Sequence, residues 1–240
     1  ISDPAAARVV ASRNTGGTAY SVFIHGDYAY VANGESGLAV IDISNPLAPV
    51  LAASRDTTGD STDITVSGNY AYLADGASGL AVIDITDPEN PGASVSYRDG
   101  TEGPGTAVGV AAAGNYILVA DYAGDLDVID VSDPSAPVQV NGYDFGTGQV
   151  RDVVVSGNHA YVAHTISPHL SIFDISDLSS PLTRLAHFTM PGGGVPKSLE
   201  VSGRYVYISP YGDNTYVVDV SNPASPALCE TYDRYFSWSY

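Results

Sequence analysis

The sequence has few basic residues and almost no lysine. Nine Lys and Arg residues stand against 27 Asp and Glu residues, which gives a formal net charge of −18, and Lys197 is the only lysine. Nucleic-acid binding depends on clusters of basic side chains that displace counterions from phosphates, and anionic membrane surfaces attract the same clusters. The charge balance therefore argues against both nucleic acid and anionic membranes as partners.

Cysteine and long apolar runs are also scarce. The lone Cys229 excludes an internal disulfide framework and any CxxC metal or redox motif. We expect Cys229 to be a small buried residue on a strand. No run of about 18 apolar residues occurs, so the sequence predicts no membrane-spanning helix and no membrane insertion. A phosphate-binding GxGxxG motif and a nucleophile elbow are absent as well.

What the sequence does contain is a repeat. The segment GLAVIDISNP at 37–46 returns in related form at 79–88, 125–134, 169–178 and 214–223, and a truncated copy, ISDP, occupies residues 1–4. The units align on a glycine that ends their first predicted strand, namely Gly26, Gly68, Gly114, Gly157 and Gly203. A regular period of 42 to 46 residues is typical of a single repeat array rather than of separate domains.

Each unit predicts four short antiparallel strands, A to D, with no helical periodicity. Units of this length with four strands are typical of a β-propeller in which strand A lies nearest the axis. The sequence thus predicts an all-β, five-bladed propeller in a single domain over residues 1–240. The predicted blades lie at approximately 18–57, 61–98, 106–145, 149–190 and 195–232, followed by a tail at 233–240.

Two segments compete for the outer edge of the last blade. Residues 7–15, ARVVASRNT, match the strand-D segment at 49–57, and residues 226–232 are a second strand-D candidate. A strand that precedes the first blade could complete the last sheet and hide its edge. We therefore expect residues 7–13 to be the closing strand beside 214–221, with 226–232 as the alternative.

The repeated pattern G-x-YAYVA followed by GLAVIDIS-[DN]-P-x-x-P closely resembles the LVIVD repeat, which is named for the strand written here LAVID at 38–42 and 80–84. The resemblance covers nearly the whole chain, and blades four and five depart most, at Phe173, Leu178 and Tyr216. It implies a bacterial or archaeal β-propeller that is extracellular or attached to the cell surface. The family carries no common catalytic residues that could be transferred.

Residues that differ between blades are better site candidates than residues that recur. An Asp recurs in strand C of every unit (Asp42, Asp84, Asp130, Asp174 and Asp219), so we expect it to accept backbone hydrogen bonds at the C–D turn. The D–A and B–C loops of a propeller emerge on one face, called the top here. The top should carry these candidate ligand-binding residues: Tyr20, Tyr122, Arg151, Asp152, His164, Lys197 and Tyr211.

Arg151 and Lys197 occupy equivalent repeat positions in neighbouring blades, which points to a site for an anion such as a carboxylate. The alternative is that the two charges are solvated and pair with Asp152 or Asp63. With His164 or a tyrosine as base, the same group could abstract a proton from a uronic acid. Asp63 and Asp121 lie in loops rich in Asp and Gly and are weak candidates for binding calcium.

These patterns favour a non-catalytic binding or interaction propeller, secreted or at the cell surface, monomeric, with a protein or carbohydrate partner on its top face. A carbohydrate-active protein, either a lectin or a uronic-acid polysaccharide lyase, is the first alternative. A structural segment of a longer adhesin is the second. The sequence identifies no certain cofactor, Ca²⁺ being the one candidate.

Overall fold

The computed structural model describes residues 6–98, 105–212 and 214–232. Over these residues, all twenty regular elements are β-strands, and they form five separate four-stranded antiparallel sheets. Each sheet follows chain order from strand A to strand D, so each is one blade made from one repeat. The predicted five-bladed propeller of four-stranded blades is confirmed.

The strands are numbered in chain order, from A to D within each blade. Blade 1 contains β1 (Ser21–His25), β2 (Tyr28–Ala32), β3 (Leu38–Asp42) and β4 (Val50–Arg55). Blade 2 contains β5 (Asp63–Ser67), β6 (Tyr70–Ala74), β7 (Leu80–Asp84) and β8 (Val95–Tyr97). Blade 3 contains β9 (Ala107–Ala113), β10 (Tyr116–Asp121), β11 (Asp125–Asp130) and β12 (Val138–Asp144). Blade 4 contains β13 (Val150–Ser156), β14 (His159–His164), β15 (Leu170–Asp174) and β16 (Thr183–Phe188). Blade 5 contains β17 (Pro196–Ser202), β18 (Tyr205–Pro210), β19 (Thr215–Asp219) and β20 (Ala227–Tyr232).

The aligned glycine of each repeat sets the register of the A–B hairpin. In blade 1, His25 pairs with Tyr28, which leaves Gly26 and Asp27 as a two-residue turn. Gly26 has a φ of 59°, whereas no residue other than glycine has a positive φ in the described structure. A glycine with positive φ at the first central position is the requirement of a type II′ turn, whose twist matches the strands it joins.

The blades are held together by apolar packing of their faces. Successive residues of a strand point to opposite faces of its sheet, so the two middle strands of a blade contact both neighbouring blades. In blade 2, Leu73 and Ile83 pack toward blade 1, whereas Leu80 and Val82 pack toward blade 3. The same arrangement joins blades 3 and 4 and blades 4 and 5. Because both faces are covered, the middle strands are apolar on both sides.

Over the described residues, the five blades form an arc rather than a closed ring. The innermost strands pack in series (β1 with β5, β5 with β9, β9 with β13, and β13 with β17), but among the described strands β17 does not pack against β1 in this way. Val22 of β1 is 58% exposed, while its equivalents in the other four blades are at most 6% exposed. Those equivalents, Ile64, Val110, Val153 and Leu199, each lie in the cluster shared with the preceding blade. Within the described residues no blade packs on this face of β1, although Val31 and Ala39 of the same face are buried.

The predicted closing strand is wrong. Residues 7–13 form no strand, and β20 is the outermost strand of blade 5, paired with β19 from Thr215–Tyr232 to Asp219–Ala227. The β19–β20 hairpin closes a short loop, while a strand at 7–13 would have to pair with residues about 200 positions away, and closing a longer loop costs more entropy. Local pairing therefore prevails in the last blade as in the others.

Cys229 is also placed differently from the expectation. It lies on β20, all of whose residues are exposed, so its side chain is not buried. The predicted tail at 233–240 lies outside the described residues. In the part of the chain that the structure describes, no helix is long and apolar enough to cross a membrane.

We predict that Val153→Ala destabilises the protein by about 2 kcal/mol, because it opens a cavity in a packed interface. The matched change Val22→Ala, at the same repeat position, should alter stability by less than about 0.5 kcal/mol because the side chain is exposed. Chemical denaturation of both variants measures the difference. Equal losses would show that blade 1 is covered in solution and that the arc closes.

Candidate functional site

The two candidate cations are presented by β-bulges. In blade 4, Val150 pairs with His164 and Asp152 pairs with Ala163, so Arg151 is an extra residue between two regular pairs. In blade 5, Pro196 pairs with Pro210 and Ser198 pairs with Ser209, which makes Lys197 the extra residue. A bulge turns one side chain away from the alternation of its strand. Both cations are thereby taken out of the apolar faces of their blades.

Tyrosine rings from neighbouring blades hold these cations. The Arg151 guanidinium carbon lies 4.4 Å from the centre of the Tyr122 ring and 5.7 Å from that of the Tyr211 ring. The Lys197 Nζ atom lies 5.8 Å from the centre of the same Tyr211 ring. Tyr122 and Tyr211 occupy equivalent positions after strand B of blades 3 and 5. The structure thus brings together four of the predicted site residues, from three blades, and we call them the cation–tyrosine cluster.

Arg151 is also fixed by hydrogen bonds. Its Nη2 atom donates to the Tyr122 hydroxyl at 3.2 Å and to Gln149 Oε1 at 3.2 Å, while its Nε atom has no acceptor among the described residues. Sequence reasoning missed Gln149, which lies in the D–A loop directly before β13. Its position two residues before Arg151, on the same side of an extended chain, could have indicated this contact.

No carboxylate of the described residues lies within 4 Å of either cation of the cluster. Over the described residues, the ion pairs within 4 Å comprise Arg204 with Asp219 at 3.3 Å and no other. The alternative in which Arg151 and Lys197 pair with Asp152 or Asp63 is therefore not what the structure contains. The cluster thus holds two of the nine basic residues of a protein whose net charge is −18.

The two inner-strand aspartates bridge blades instead. Asp152 Oδ2 accepts a hydrogen bond from the Leu199 amide of blade 5 at 2.6 Å, and Asp63 Oδ2 accepts one from the Val110 amide of blade 3 at 2.9 Å. Burial raises the pKa of both carboxyl groups, and for Asp152 the nearby charge of Asp63 adds to the rise, to about 8. Gly109 leaves room for Asp152, because a Cβ there would lie 3.3 Å from Asp152 Oδ1.

His164 lies inside the molecule rather than at the mouth. It is 1% exposed, its Nε2 atom is 2.9 Å from Ser171 Oγ, and its ring centre is 4.6 Å from that of Phe145. Burial lowers the pKa of His164 to about 4, so the imidazole is neutral at physiological pH. The equivalent residues Asn33, Asp75 and Asp121 form hydrogen bonds that hold loops. In blade 4 the side chain of His164 is instead packed beneath the loop.

The remaining candidates have other surroundings. Tyr20 holds in blade 1 the repeat position that Arg151 and Lys197 hold in blades 4 and 5, and its ring faces Gly34 rather than the cation–tyrosine cluster. Asp121 Oδ1 accepts hydrogen bonds from the Thr106 amide at 3.0 Å and the Ala123 amide at 2.7 Å, which holds the loops of blade 3. Within the described ranges, no three His, Cys, Asp or Glu side chains are grouped as metal ligands.

The recurring Asp of strand C has the predicted structural role. In all five blades its Oδ1 atom accepts a hydrogen bond from the amide two residues later, at 2.8 to 2.9 Å. Hydrogen bonds from the Ser or Thr at that later position lower the pKa of each carboxyl group. The expectation that these residues shape the C–D turn is confirmed.

Comparison with known families and structures agrees with the repeat. A family model described as the LVIVD repeat matches residues 16–57, 58–99, 104–144, 147–186 and 193–234. No curated protein matches the chain significantly.

Solved structures share the fold at low sequence identity. The periplasmic gluconolactonase of Pseudomonas aeruginosa is 16% identical, with a TM-score of 0.76 over 92% of this chain and 74% of that chain. The Cps50 (Swd1) β-propeller domain of Myceliophteria thermophila is 14% identical, with a TM-score of 0.70 over 90% and 73%. The computationally designed Ika8 protein is 12% identical, with a TM-score of 0.64 over 89% of this chain. The present chain spans 61% of the Ika8 chain.

Asp152 makes the stability of the protein depend on pH. An Asp carboxyl group ordinarily has a pKa of 3.8, whereas Asp152 in the folded state keeps its proton up to about pH 8. Between those values the folded state binds more protons than the unfolded state, so this contribution to stability is lost as the pH rises through that window. We predict that thermal denaturation from pH 5 to 8 shows a smaller loss of stability with rising pH in Asp152→Asn than in the wild type. The exposed control Asp60→Asn should keep the wild-type slope, and an unchanged slope in Asp152→Asn would contradict the prediction.

Proposed function

The chain belongs to the LVIVD repeat family, and from this premise we propose that it is a non-catalytic binding propeller, secreted or attached to the cell surface. It acts as a monomer and holds a protein or carbohydrate partner on its top face. The contact point is the cation–tyrosine cluster, and the group it recognises is a carboxylate, as in an acidic sugar or an acidic side chain.

One observation carries the proposal. Arg151 and Lys197 both lie within 6 Å of the Tyr211 ring, and neither has a carboxylate partner among the described residues. Two like charges brought together without a counter-charge repel each other, so the arrangement costs free energy until an anion arrives. An Arg that is already oriented by rings and hydrogen bonds loses little entropy on binding a carboxylate through two of its N–H groups. Tyr211, which is 56% exposed, can also stack against a sugar ring.

The lyase alternative has less support than the lectin alternative. Proton abstraction needs a base within hydrogen-bond reach of the substrate. Of the candidate bases, His164 is 1% exposed and packed against Phe145, so it cannot reach a substrate at the mouth in this conformation, which leaves a tyrosine. The likeness to a gluconolactonase is at 16% identity and concerns the fold alone. A single asymmetric lectin site therefore accounts for the cluster better than a catalytic site.

The adhesin alternative rests on a different observation. Val22 and Ile24 of β1 are exposed at positions where blades 2 to 5 contact a preceding blade. A structural segment flanked by further repeats would cover them. This alternative concerns blade 1 and is compatible with an anion site in blades 3 to 5.

We predict that D-galacturonate binds the wild-type protein and that its neutral counterpart D-galactose binds at least about tenfold more weakly, because the charge-assisted hydrogen bonds are missing. Isothermal titration calorimetry at about 0.15 M salt measures both. Arg151→Gln should weaken galacturonate binding by about tenfold, and Lys197→Gln should weaken it less, since Lys197 is exposed and screened.

The matched control is Arg204→Gln, which removes the same charge from the A–B turn on the opposite face of blade 5. It should leave galacturonate affinity within about twofold of the wild type, since exposed charges farther apart than a Debye length are largely screened. If Arg204→Gln weakened binding as much as Arg151→Gln, the effect would be one of net charge and the site would be wrong.

A further inference from the structure

A cavity lies on the top face between blades 1 and 2, at the opposite end of the arc from the cation–tyrosine cluster. It has a volume of about 420 Å³ and is enclosed by residues 16–18 and Tyr20, the B–C loop of blade 1 at 33–36, and Asp60 of blade 2. This volume falls in the range of small-molecule sites.

The walls of this cavity are fixed by buried contacts. Asn33 is 1% exposed, accepts a hydrogen bond from the Thr15 hydroxyl at 2.6 Å, and donates one to the Thr15 carbonyl oxygen at 3.1 Å. Gly17 lies against the same loop, where a Cβ would be 2.5 Å from the Asn33 carbonyl oxygen. The segment that precedes β1 is therefore held against the B–C loop by contacts within the protein.

The floor of the cavity is Gly34, and two side chains converge over it. A Cβ on Gly34 would lie 3.2 Å from Asp60 Oδ1 and 3.3 Å from Tyr20 Cε2, which is too close for most side chains. Gly34 also has a φ of 63°, a left-handed conformation that favours glycine. Its amide and carbonyl groups bond to Ser61, which ties the loop of blade 1 to blade 2.

Comparison with blade 2 separates scaffold from site. The scaffold recurs: Asp75 replaces Asn33 and accepts the Thr57 hydroxyl at 2.6 Å, and Gly59 meets the Asp75 carbonyl as Gly17 meets that of Asn33. The side chains that line the opening do not recur. Blade 2 has Thr62 where blade 1 has Tyr20, and Ala77 where blade 1 has Glu35. The loops of both blades are held by the same contacts, whether or not Tyr20 and Glu35 are present. Packing of the loops therefore does not explain why blade 1 has these two side chains.

These additions have the chemistry of a site for an organic cation. Glu35 and Asp60 are exposed carboxylates with no Lys or Arg within 4 Å among the described residues. The Tyr20 ring is 57% exposed beside them. An aromatic face and carboxylates together attract ammonium and guanidinium groups, by the ring quadrupole and by charge. We propose that this pocket binds an ammonium or guanidinium group of a small ligand, and that it is a site separate from the cation–tyrosine cluster.

The probe for this proposal is agmatine, which carries one guanidinium and one ammonium group, with 1,5-pentanediol as a neutral molecule of similar length. NMR titration of the wild type should show saturable shifts with agmatine near residues 16–20 and 33–36, and none with the diol. Raising the salt from about 20 mM to about 300 mM should weaken agmatine binding, because exposed charges are screened.

The variants at Tyr20 and Glu35 take the residues that blade 2 has at the same positions, so they suit the fold. Tyr20→Thr and Glu35→Ala should each weaken agmatine binding by about fivefold, and Asp60→Asn by a similar factor. Asp27→Asn, which removes one carboxylate from the opposite face of blade 1, should leave it unchanged. Equal agmatine binding in all variants, saturable binding of the diol, or displacement of agmatine by millimolar Ca²⁺ would each overturn the proposal.

The proposals for this pocket and for the anion site can be tested independently. Asp60→Asn and Glu35→Ala should leave galacturonate affinity as it is in the wild type. A loss of galacturonate binding in these variants would show that the two regions form one site, and would overturn the separation proposed here.

Discussion

Face-to-face packing of neighbouring sheets is the constraint on which the rest of this structure depends. The two middle strands of blades 2, 3 and 4 are covered on both sides by neighbouring blades, so an unpaired polar group there would be desolvated without compensation. Leu38, Leu80, Leu126 and Leu170 occupy one repeat position and are all at most 1% exposed. The equivalent residue of blade 5, which has no following blade among the described residues, is Thr215. Functional chemistry is consequently excluded from the sheets and confined to their ends.

In blades 4 and 5, a bulge at the start of strand A places one side chain at the surface. Every regular residue of the strand belongs to a blade face or to the axis, while the extra residue belongs to neither. Arg151 and Lys197 use this freedom in blades 4 and 5, and Tyr20 holds the same repeat position in blade 1. Two basic side chains of the top face thus lie in blades 4 and 5, and the exposed carboxylates Glu35 and Asp60 lie in blades 1 and 2.

The sequence predicted the parts of the structure that recur. The glycine of each A–B turn and the Asp of each C–D turn repeat with their backbone roles, because the same local geometry demands the same residue five times. It also placed Arg151, Lys197, Tyr122 and Tyr211 in one group, since equivalent positions in neighbouring blades are close in space.

What the sequence could not supply are contacts between residues that are not equivalent. His164 ends strand B as Asp121 does, yet Phe145 and Ser171 cover it. Ser171 stands where blades 1 and 2 have alanine, so the repeat does not predict this contact. The bridge from Asp152 to the Leu199 amide joins different blades and depends on the curvature of the array. The prediction for the outer strand of blade 5 was also wrong, because residues 7–13 and 226–232 are both candidates for a strand D and chain connectivity decides between them.

The unpacked pair of β1 and β17 has a mechanical consequence. In a closed ring, a tilt at one joint between blades must be cancelled by opposite tilts elsewhere, so the circle resists bending as a unit. An arc with four joints has no such condition, and small tilts at each joint accumulate toward the ends. The distance between Glu35 at one end of the arc and Lys197 at the other can then change at little energetic cost. A rigid molecule that bound both ends would fix this distance and with it the curvature of the arc.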